Sequence, residues 1–391
     1  MDISSVICQQ QTGIIIFLAA LGVITLGNLL TMRRLISARL YKEPRVSVMV
    51  PARNEERNIE RCVRSLLNQS YNNYELLVLN DDSQDRTGEI LARLAEEDER
   101  LRVLEGTFLP EGWGGKNWAC WRLATEAKGE YFLFTDADTW HHPDMLHDVV
   151  AAAHFNKADL LSGFPKQEME TPAEKLVLPV LGFAFSVLSP FFLSSSLALA
   201  WLVPAVGQFL LFHRDAYTAI GGHAAVRNSL VEDIALGRRI IKMRYRLVFA
   251  PISDRVYCRM YRTNQEVLNG LSRTLLPVFN FNLPLYLFAW GWMLYVFWQP
   301  LVVLGLFLSG IELSFSSGVY AFLSILVSLI LWVVPTIVHR FLWYTPLFYP
   351  LVILLSFLTA SRSAYLHLTR RSTVWKGRRV EHNPKQVLKE Q

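Results

Sequence analysis

Between Pro277 and Val338 the chain carries a single charged side chain, Glu312, and between Phe341 and Ser361 it carries none. A helix of roughly 20 residues already crosses the ~30 Å hydrocarbon core of a bilayer, so this much uninterrupted apolar length predicts a membrane block and not a soluble core. A second uncharged run, Gln11 to Met32, predicts one further span near the N-terminus. In the C-terminal block, 281–298, 300–315, 319–338 and 344–361 read as four spans; the alternative is two, with the first two segments forming a re-entrant or interfacial hairpin. Apolar residues make up 52% of the chain and charged ones 19%, against about 25% charged in an ordinary soluble domain.

Charge order predicts orientation. Only Asp2 precedes the first span, whereas Arg33, Arg34, Arg39, Lys42 and Arg45 follow it, so the positive-inside rule places the N-terminus outside and the next domain in the cytosol. A cleaved signal would carry its basic residues ahead of the apolar run, so this one reads as an anchor. The tail holds Arg362, Arg370, Arg371, Lys376, Arg378, Arg379, Lys385 and Lys389 against Glu381 and Glu390, which predicts a cytosolic tail and an even number of spans in the C-terminal block. The expectation is a multi-pass protein of the cell (inner) membrane with five spans, or three. Its regions are an anchor and linker at 1–45, a cytosolic domain at 46–274, a membrane block of about four helices at 275–361, and a basic tail at 362–391.

Leu176 to Phe212 is also uncharged but is interrupted by Pro179, Pro190 and Pro204. That pattern predicts short amphipathic helices at the bilayer interface over about 176–204, then a buried strand around 205–212, with a plain hydrophobic core as the alternative. The net charge of +5 forms no aromatic-interleaved patch, which argues against a nucleic-acid partner. Cys8, Cys62, Cys120 and Cys258 make no CxxC pair, so neither a zinc knuckle nor a disulfide framework is expected.

From 46 to 161, short apolar runs alternate with helical patterns: 46–50, 76–79, 101–104, 131–135 and 159–161 read as strands. Such alternation predicts an α/β domain with a mostly parallel sheet, whose ligands sit at the carboxyl ends of the strands. Pro51-Ala52-Arg53-Asn54-Glu55-Glu56 follows the first strand and Asn80-Asp81-Asp82-Ser83-Gln84-Asp85 the second. Both clusters suit a nucleotide at helix N-termini, and equally suit plain helix capping. No GxGxxG follows a strand, and Gly115-Lys116 lacks the rest of a Walker motif, so dehydrogenase and P-loop ATPase readings are excluded. Lys116, behind Gly112, Gly114 and Gly115, is placed to approach a diphosphate or to belong to an ordinary loop.

The fourth strand runs into Asp136-Ala137-Asp138. Carboxylates one residue apart at a strand end suit a hard cation, Mg²⁺ or Mn²⁺, that retains positions for substrate phosphates. His141 and His142 raise zinc, but there is no cysteine at the site and no HExxH spacing. Glu232-Asp233 opens a later helix, where an acidic pair either complements the dipole or supplies a carboxylate general base.

In this order, the segment beginning at Val50-Pro51, Asn80 to Thr87, Asp136-Ala137-Asp138 and Glu232-Asp233 resemble the membrane-anchored glycosyltransferases of family 2, with the GT-A nucleotide-sugar-binding fold, across roughly Val46 to Arg273. Gly112 to Lys116, Phe134 to Thr139, Arg259-Met260-Tyr261-Arg262 and Trp375 to Arg378 are similar to the carotenoid- and hopanoid-associated branch. The resemblance implies that Asp81 holds the nucleobase, with Pro51, Arg53 and Glu55 in the same binding region, that Asp138 and Asp136 hold the metal, and that Asp233 is the base beside Glu232. It also implies a nucleotide-sugar donor, a UDP-sugar first among them. Lys116, Arg259 and Arg262 are the candidate diphosphate contacts, with surface cations as the bland alternative.

Asn80 stands where the family has Asp, Asp82 where it has Gly, and Thr263 where processive synthases have Trp. The resulting expectation is an inverting transferase acting on a hydroxyl of a membrane lipid such as a carotenoid, hopanoid or other polyisoprenoid, with the lipid bilayer itself as a partner. A processive polysaccharide synthase, a transferase to polyprenyl phosphate, and a transporter or binding protein with a dead sugar-nucleotide site are the rivals.

Overall fold

The computed structural model describes residues 3–32, 35, 40, 43–194, 203–369, 373–375 and 378–380. The chain divides into two units, one built on a sheet (32–168, 191–260 and 374–391) and one on long helices (1–31, 169–190 and 261–373).

Within residues 46–258 the strands of the sheet unit are β1 (Val46–Ala52), β2 (Tyr74–Asn80), β3 (Leu101–Glu105), β4 (Tyr131–Thr135), β5 (Thr139–His141), β6 (Leu160–Ser162), β7 (Lys166–Gln167), β8 (Phe209–His213), β9 (Leu247–Phe249) and β10 (Val256–Cys258). Seven form the main sheet in the order β3-β2-β1-β4-β8-β6-β9, with β8 antiparallel to both neighbours and every other pair parallel. β2 and β4 are buried along their whole length, because helices cover both faces and alternation is not required of such strands. The helix Ile59–Leu67 buries Ile59, Cys62, Val63 and Leu66 with Val48 and Val50 on one face. On the other, the helix Gly115–Glu126 buries Ala119, Cys120 and Leu123 with Met49 and Leu77.

This topology positions the site. β2, β1 and β4 are parallel neighbours, so the residues following each lie along one edge. β8 runs the other way with Phe209 opposite Thr135, which brings Gly207 and Gln208 to that same edge. A small sheet, β5-β10-β7, sets Cys258 opposite Thr139. The expected strand at 159–161 is found one residue on, and the one expected around 205–212 is Phe209–His213, preceded by an isolated bridge at Val206.

Among the described residues, four helices of the other unit are long and apolar enough to cross a membrane: Ile3–Thr31, Leu283–Leu308, Phe315–Val338, and the fourth, Tyr349–Leu368, lengthened by a turn from Thr345. The C-terminal block therefore holds three long helices among the described residues, not four or two. Most of segments 281–298 and 300–315 forms one helix, Leu283–Leu308, which continues through Gln299 and Pro300, since a proline is tolerated inside an apolar helix packed among others. The boundary expected at 274 also moves: 169–190 and 261–373 group with the long helices. Prolines do divide the 172–194 stretch into short helices. Those up to Leu188 pack into the long-helix core, where Phe183 stacks on Trp332 at 4.3 Å and meets Phe297 edge-on at 5.6 Å.

Helix direction follows from the contacts. Ser314, capping the third long helix, donates its N–H to Ser4 at the start of the first. At the other end Asn28 donates to the Ser186 carbonyl, and Ser186 is bonded to His339. The first and third are thus parallel. The second lies antiparallel to the third, Phe307 covering Gly318 across their short connection. It is antiparallel to the fourth as well, because Tyr286 donates to the Ala360 carbonyl at 2.8 Å and Trp298 to that of Pro350 at 2.9 Å. The third and fourth consequently run the same way. Segment 339–348 returns the chain into the bundle, to where Tyr349 meets Phe297 at 5.7 Å, in the layer that contains Trp332. The fourth long helix begins inside the bundle and ends on the side where the second begins. The residues Arg33, Arg34, Arg39, Lys42, Arg370, Arg371, Lys376, Lys385 and Lys389, on which the charge-order expectation rests, lie outside the described residues, as do 195–202.

Candidate active site

The loops after β1 and β2 are laced together. Asn54 donates its N–H to Ser83 Oγ at 3.0 Å and receives that of Gln84 on Oδ1 at 2.8 Å. Glu55 N–H bonds Thr87 Oγ1 at 2.8 Å, and Glu56 N–H bonds Asp85 Oδ2 at 3.0 Å. Glu55 is buried, accepts from Asn58 Nδ2 and caps the following helix with its carbonyl. Arg53 donates to the Asp81 carbonyl and lies 3.9 Å from its carboxylate and 3.7 Å from that of Asp82. Pro51 ends this wall in register with Leu79. Asp82 has φ +53°, a left-handed conformation that glycine adopts freely and Asp tolerates better than most residues. Asn80 takes a structural part, donating to Glu105 at 3.1 Å and accepting from Ser83 N–H.

A second cluster forms where β4 ends. Lys116 Nζ sits 2.7 Å from Asp136 Oδ1 and 2.9 Å from Glu232 Oε1, tying the strand end to the helix Glu232–Lys242. Burial opposes the lysine charge, but the two carboxylates outweigh it and hold the ammonium pKa well above the usual value. Burial likewise opposes ionisation of Glu232, and here Lys116 prevails and lowers its pKa. For Asp136 burial wins, and the carboxyl is raised. Asp138 is pushed up to about 7, first by burial and then by the charge of Asp136.

Asp233 lies beside this cluster with both carboxylate oxygens held: Oδ2 accepts from Gly207 N–H and Oδ1 from Ile234 N–H, each at 2.8 Å. Burial, then the neighbouring Glu232 charge, raises its pKa to about 7. Gly207 is at the centre. A Cβ there would stand 3.3 Å from Asp233 Oδ2, Glu232 Oε1 and Lys116 Nζ alike.

Asp136 and Asp138 fit a hard divalent cation. Lys116 is paired with Asp136 and Glu232, and Asp138, raised first by burial and then by the Asp136 charge, has no cation paired with its carboxylate among the ion pairs of the described residues. Among the described residues no group of three His, Cys, Asp or Glu side chains is placed to hold a metal ion, so a cation on Asp136 and Asp138 would leave positions for substrate and water oxygens, as Mg²⁺ and Mn²⁺ usually do. His141 is structural. It is buried, bonded to Thr135 Oγ1 at 3.2 Å and kept neutral by burial, with its pKa lowered to about 3.

Of the residues singled out from sequence, Lys116, Asp136, Glu232 and Asp233 converge directly, and Asp138 joins them through Asp136. Pro51, Arg53, Glu55 and Asp81 line the adjacent strand ends. Arg259 is tied to the Asp138 carbonyl through its backbone N–H at 3.2 Å. Arg262 belongs to the long-helix unit, where its N–H bonds Glu266, so the pair does not form one element. Sequence reasoning passed over Gly207, Gln208, Cys258 and Asn117. Asn117 Nδ2 donates to the carbonyls of Val226, Arg227 and Ser229 at 2.9–3.1 Å, and Gly114 N–H to that of Arg227. These bonds hold the approach to Glu232 against the Lys116 helix. The one signal for Gly207 was a glycine interrupting an apolar run.

Residues 47–233 match the profile described as Glycosyl transferase family 2. The 4,4'-diaponeurosporenoate glycosyltransferase of Staphylococcus haemolyticus is 28% identical over 203 residues, covering 49% of this chain and 50% of that protein. The uncharacterized glycosyltransferase EpsJ of Bacillus subtilis is 34% identical over 128 residues (32% and 36%). The beta-monoglucosyldiacylglycerol synthase of Trichormus variabilis is 39% identical over 109 residues (27% and 23%). The chain thus spans between about a quarter and a half of the length of these relatives. Among solved structures, the mannosyltransferase PcManGT from Pyrobaculum calidifontis, in complex with GDP-Man and Mn²⁺, superposes with a TM-score of 0.57 at 16% identity, over 94% of this chain and 98% of that one. At that identity the likeness is one of fold.

Proposed function

With residues 47–233 belonging to glycosyl transferase family 2, we propose that the chain is an inverting, metal-dependent transferase that moves a sugar from a nucleotide-sugar donor to a hydroxyl of a membrane lipid. The observation that carries this reading is Asp233. Its carboxylate is aimed by two backbone N–H groups, retains some exposure, and has a pKa raised to about 7, where a general base works best. The acceptor hydroxyl loses its proton to Asp233 as it attacks the anomeric carbon from the face opposite the nucleotide. Arg53 fixes Asp81, which holds the nucleobase, with Pro51 and Glu55 shaping the same wall. Lys116 releases Asp136 to meet the diphosphate, and Arg259 is a further candidate contact. Asp136 and Asp138 would hold Mg²⁺ or Mn²⁺, which when bound offsets the charge developing on the leaving diphosphate.

The lipid acceptor is supported by the apolar helices and by two relatives named for a carotenoid acid and a glycosyl diacylglycerol. A UDP-sugar is the first donor to try. We place the sheet unit and the tail on the cytosolic side of the cell membrane. The helix directions support a common side for the two flanks of the C-terminal block, because they return the chain after Leu368 to the side on which Leu283 starts, an even parity reached by two crossings and one re-entry.

Membranes containing the protein, incubated with one radiolabelled nucleotide sugar at a time, should move label into the organic phase with at least one donor. Label confined to an aqueous polymer would favour a synthase, and no label with any donor would refute the reading.

A further inference from the structure

Asp138 is not oriented by the cluster of charges alone. Gln167 Nε2 donates to Gln208 Oε1 at 3.0 Å and to the Pro165 carbonyl at 3.3 Å. Gln208 Nε2 donates to Cys258 Sγ at 3.0 Å, and Cys258 Sγ–H donates to Asp138 Oδ1 at 3.6 Å. Gln167, Gln208 and Cys258 are 3%, 4% and 0% exposed, so water does not compete for these bonds. With Asp138 ionised, as a cation would hold it, the direction of the chain follows: a sulfur already accepting from an amide has its proton left to give, and a carboxylate accepts. Gln208 is anchored in turn, its carbonyl accepting from Thr135 Oγ1 at 2.9 Å at the end of β4. Its neighbour Gly207 holds Asp233 by the backbone. One dipeptide therefore reaches the base with its first residue and the metal carboxylate with its second.

We propose that Cys258, backed by Gln208 and Gln167, is a positioning residue for the metal site: its thiol holds one oxygen of Asp138 so that the carboxylate presents the other to the cation. Residues behind metal ligands commonly account for 10- to 100-fold in metal affinity by fixing ligand orientation. A buried thiol suits the place because it donates weakly, keeping Asp138 oriented while leaving its charge available. The inference rests on Asp138 being a metal ligand.

The test is Mn²⁺ affinity of the full-length protein in nanodiscs, measured by electron paramagnetic resonance without donor or acceptor, with thermal melting to verify folding. Cys258→Ala should weaken Mn²⁺ about 10-fold or more. Cys258→Ser, a donor of shorter reach, should fall between Ala and wild type. Gln208→Ala, which frees the thiol to rotate, should weaken Mn²⁺ about 3-fold and gives a second route should Cys258→Ala not fold. Wild-type affinity in Cys258→Ala, or in Gln208→Ala when that variant alone folds, overturns the proposal. So does a thiolate-to-metal charge-transfer band in the Co²⁺-loaded wild type, which would make Cys258 a ligand. Asp138→Asn separates the two levels: unchanged Mn²⁺ affinity there removes the metal assignment and the inference with it, whereas loss there beside an unaffected Cys258→Ala removes the inference alone.

Discussion

Replacing Asp233 by Asn tests the base directly, and the geometry sets both the expected loss and its cost. Each oxygen of Asp233 accepts a backbone N–H at 2.8 Å, from Gly207 and from Ile234. An amide has one acceptor oxygen, so Asn keeps one of these bonds and turns its NH₂ toward the other donor. A buried donor left unpaired costs about 1–3 kcal/mol, more than the few tenths to 1 kcal/mol expected had Asp233 served only the helix dipole. Relief of repulsion from Glu232 offsets part of this. Turnover should fall by roughly 10² or more, the usual contribution of a general base. The pH profile is the sharper readout. A carboxyl raised to about 7 by burial and by Glu232 is the active base only when ionised, so with saturating cation and donor the wild-type rate should rise about tenfold per pH unit below 7 and level off above it. The variant should lose that limb while binding donor nucleotide normally. Radiolabel transfer between pH 5.5 and 8.5, with calorimetric donor titration, measures both. Turnover within threefold of wild type with the same limb would refute the assignment and move attention to Glu232.

Asp138→Asn should abolish transfer while leaving the protein folded and inserted, and exhaustive chelation should do the same to the wild type; full turnover after chelation would remove the metal from the reaction. Gly207→Ala puts a methyl group 3.3 Å from Asp233, Glu232 and Lys116 at once, so turnover should drop about tenfold or more by displacement of these groups, with a melting temperature near that of wild type. Asp138 and Asp233 are both raised to about 7, so between their unfolded values near 4 and pH 7 the folded state binds more protons. Metal-free protein should accordingly melt at a lower temperature as pH rises from 5 to 7.5, and Mn²⁺ should reverse the loss at pH 7.5. In a Cys8→Ser background, a cysteine at Glu312 should react with an impermeant reagent in intact cells and one at Glu390 should not; labelling at Glu390 would overturn the re-entrant topology.

Much of this protein is legible in order along the chain. Apolar length announced the long helices, and the strands before Pro51, Asn80 and Asp136 were readable because a strand fully buried between two helical layers is a short apolar run ending in polar residues. Asp136, Asp138 and Asp233 could be named from local pattern, since strand ends and helix starts are where an α/β sheet displays its chemistry. What tertiary structure alone decided are relations between distant segments. Lys116 became the bridge between Asp136 and Glu232 through antiparallel β8 and the Asn117 bonds to 226–229. Gly207 and Cys258 gained roles because their strands end beside β4 and β5. The third and fourth long helices run parallel because Tyr286, Trp298 and Phe297 find Ala360, Pro350 and Tyr349 across the bundle. Hydropathy measures how much apolar surface a segment must bury and with what period, and those quantities are local. Direction, register and the meeting of charges are settled by which surfaces pack against each other, and no window of sequence contains both partners.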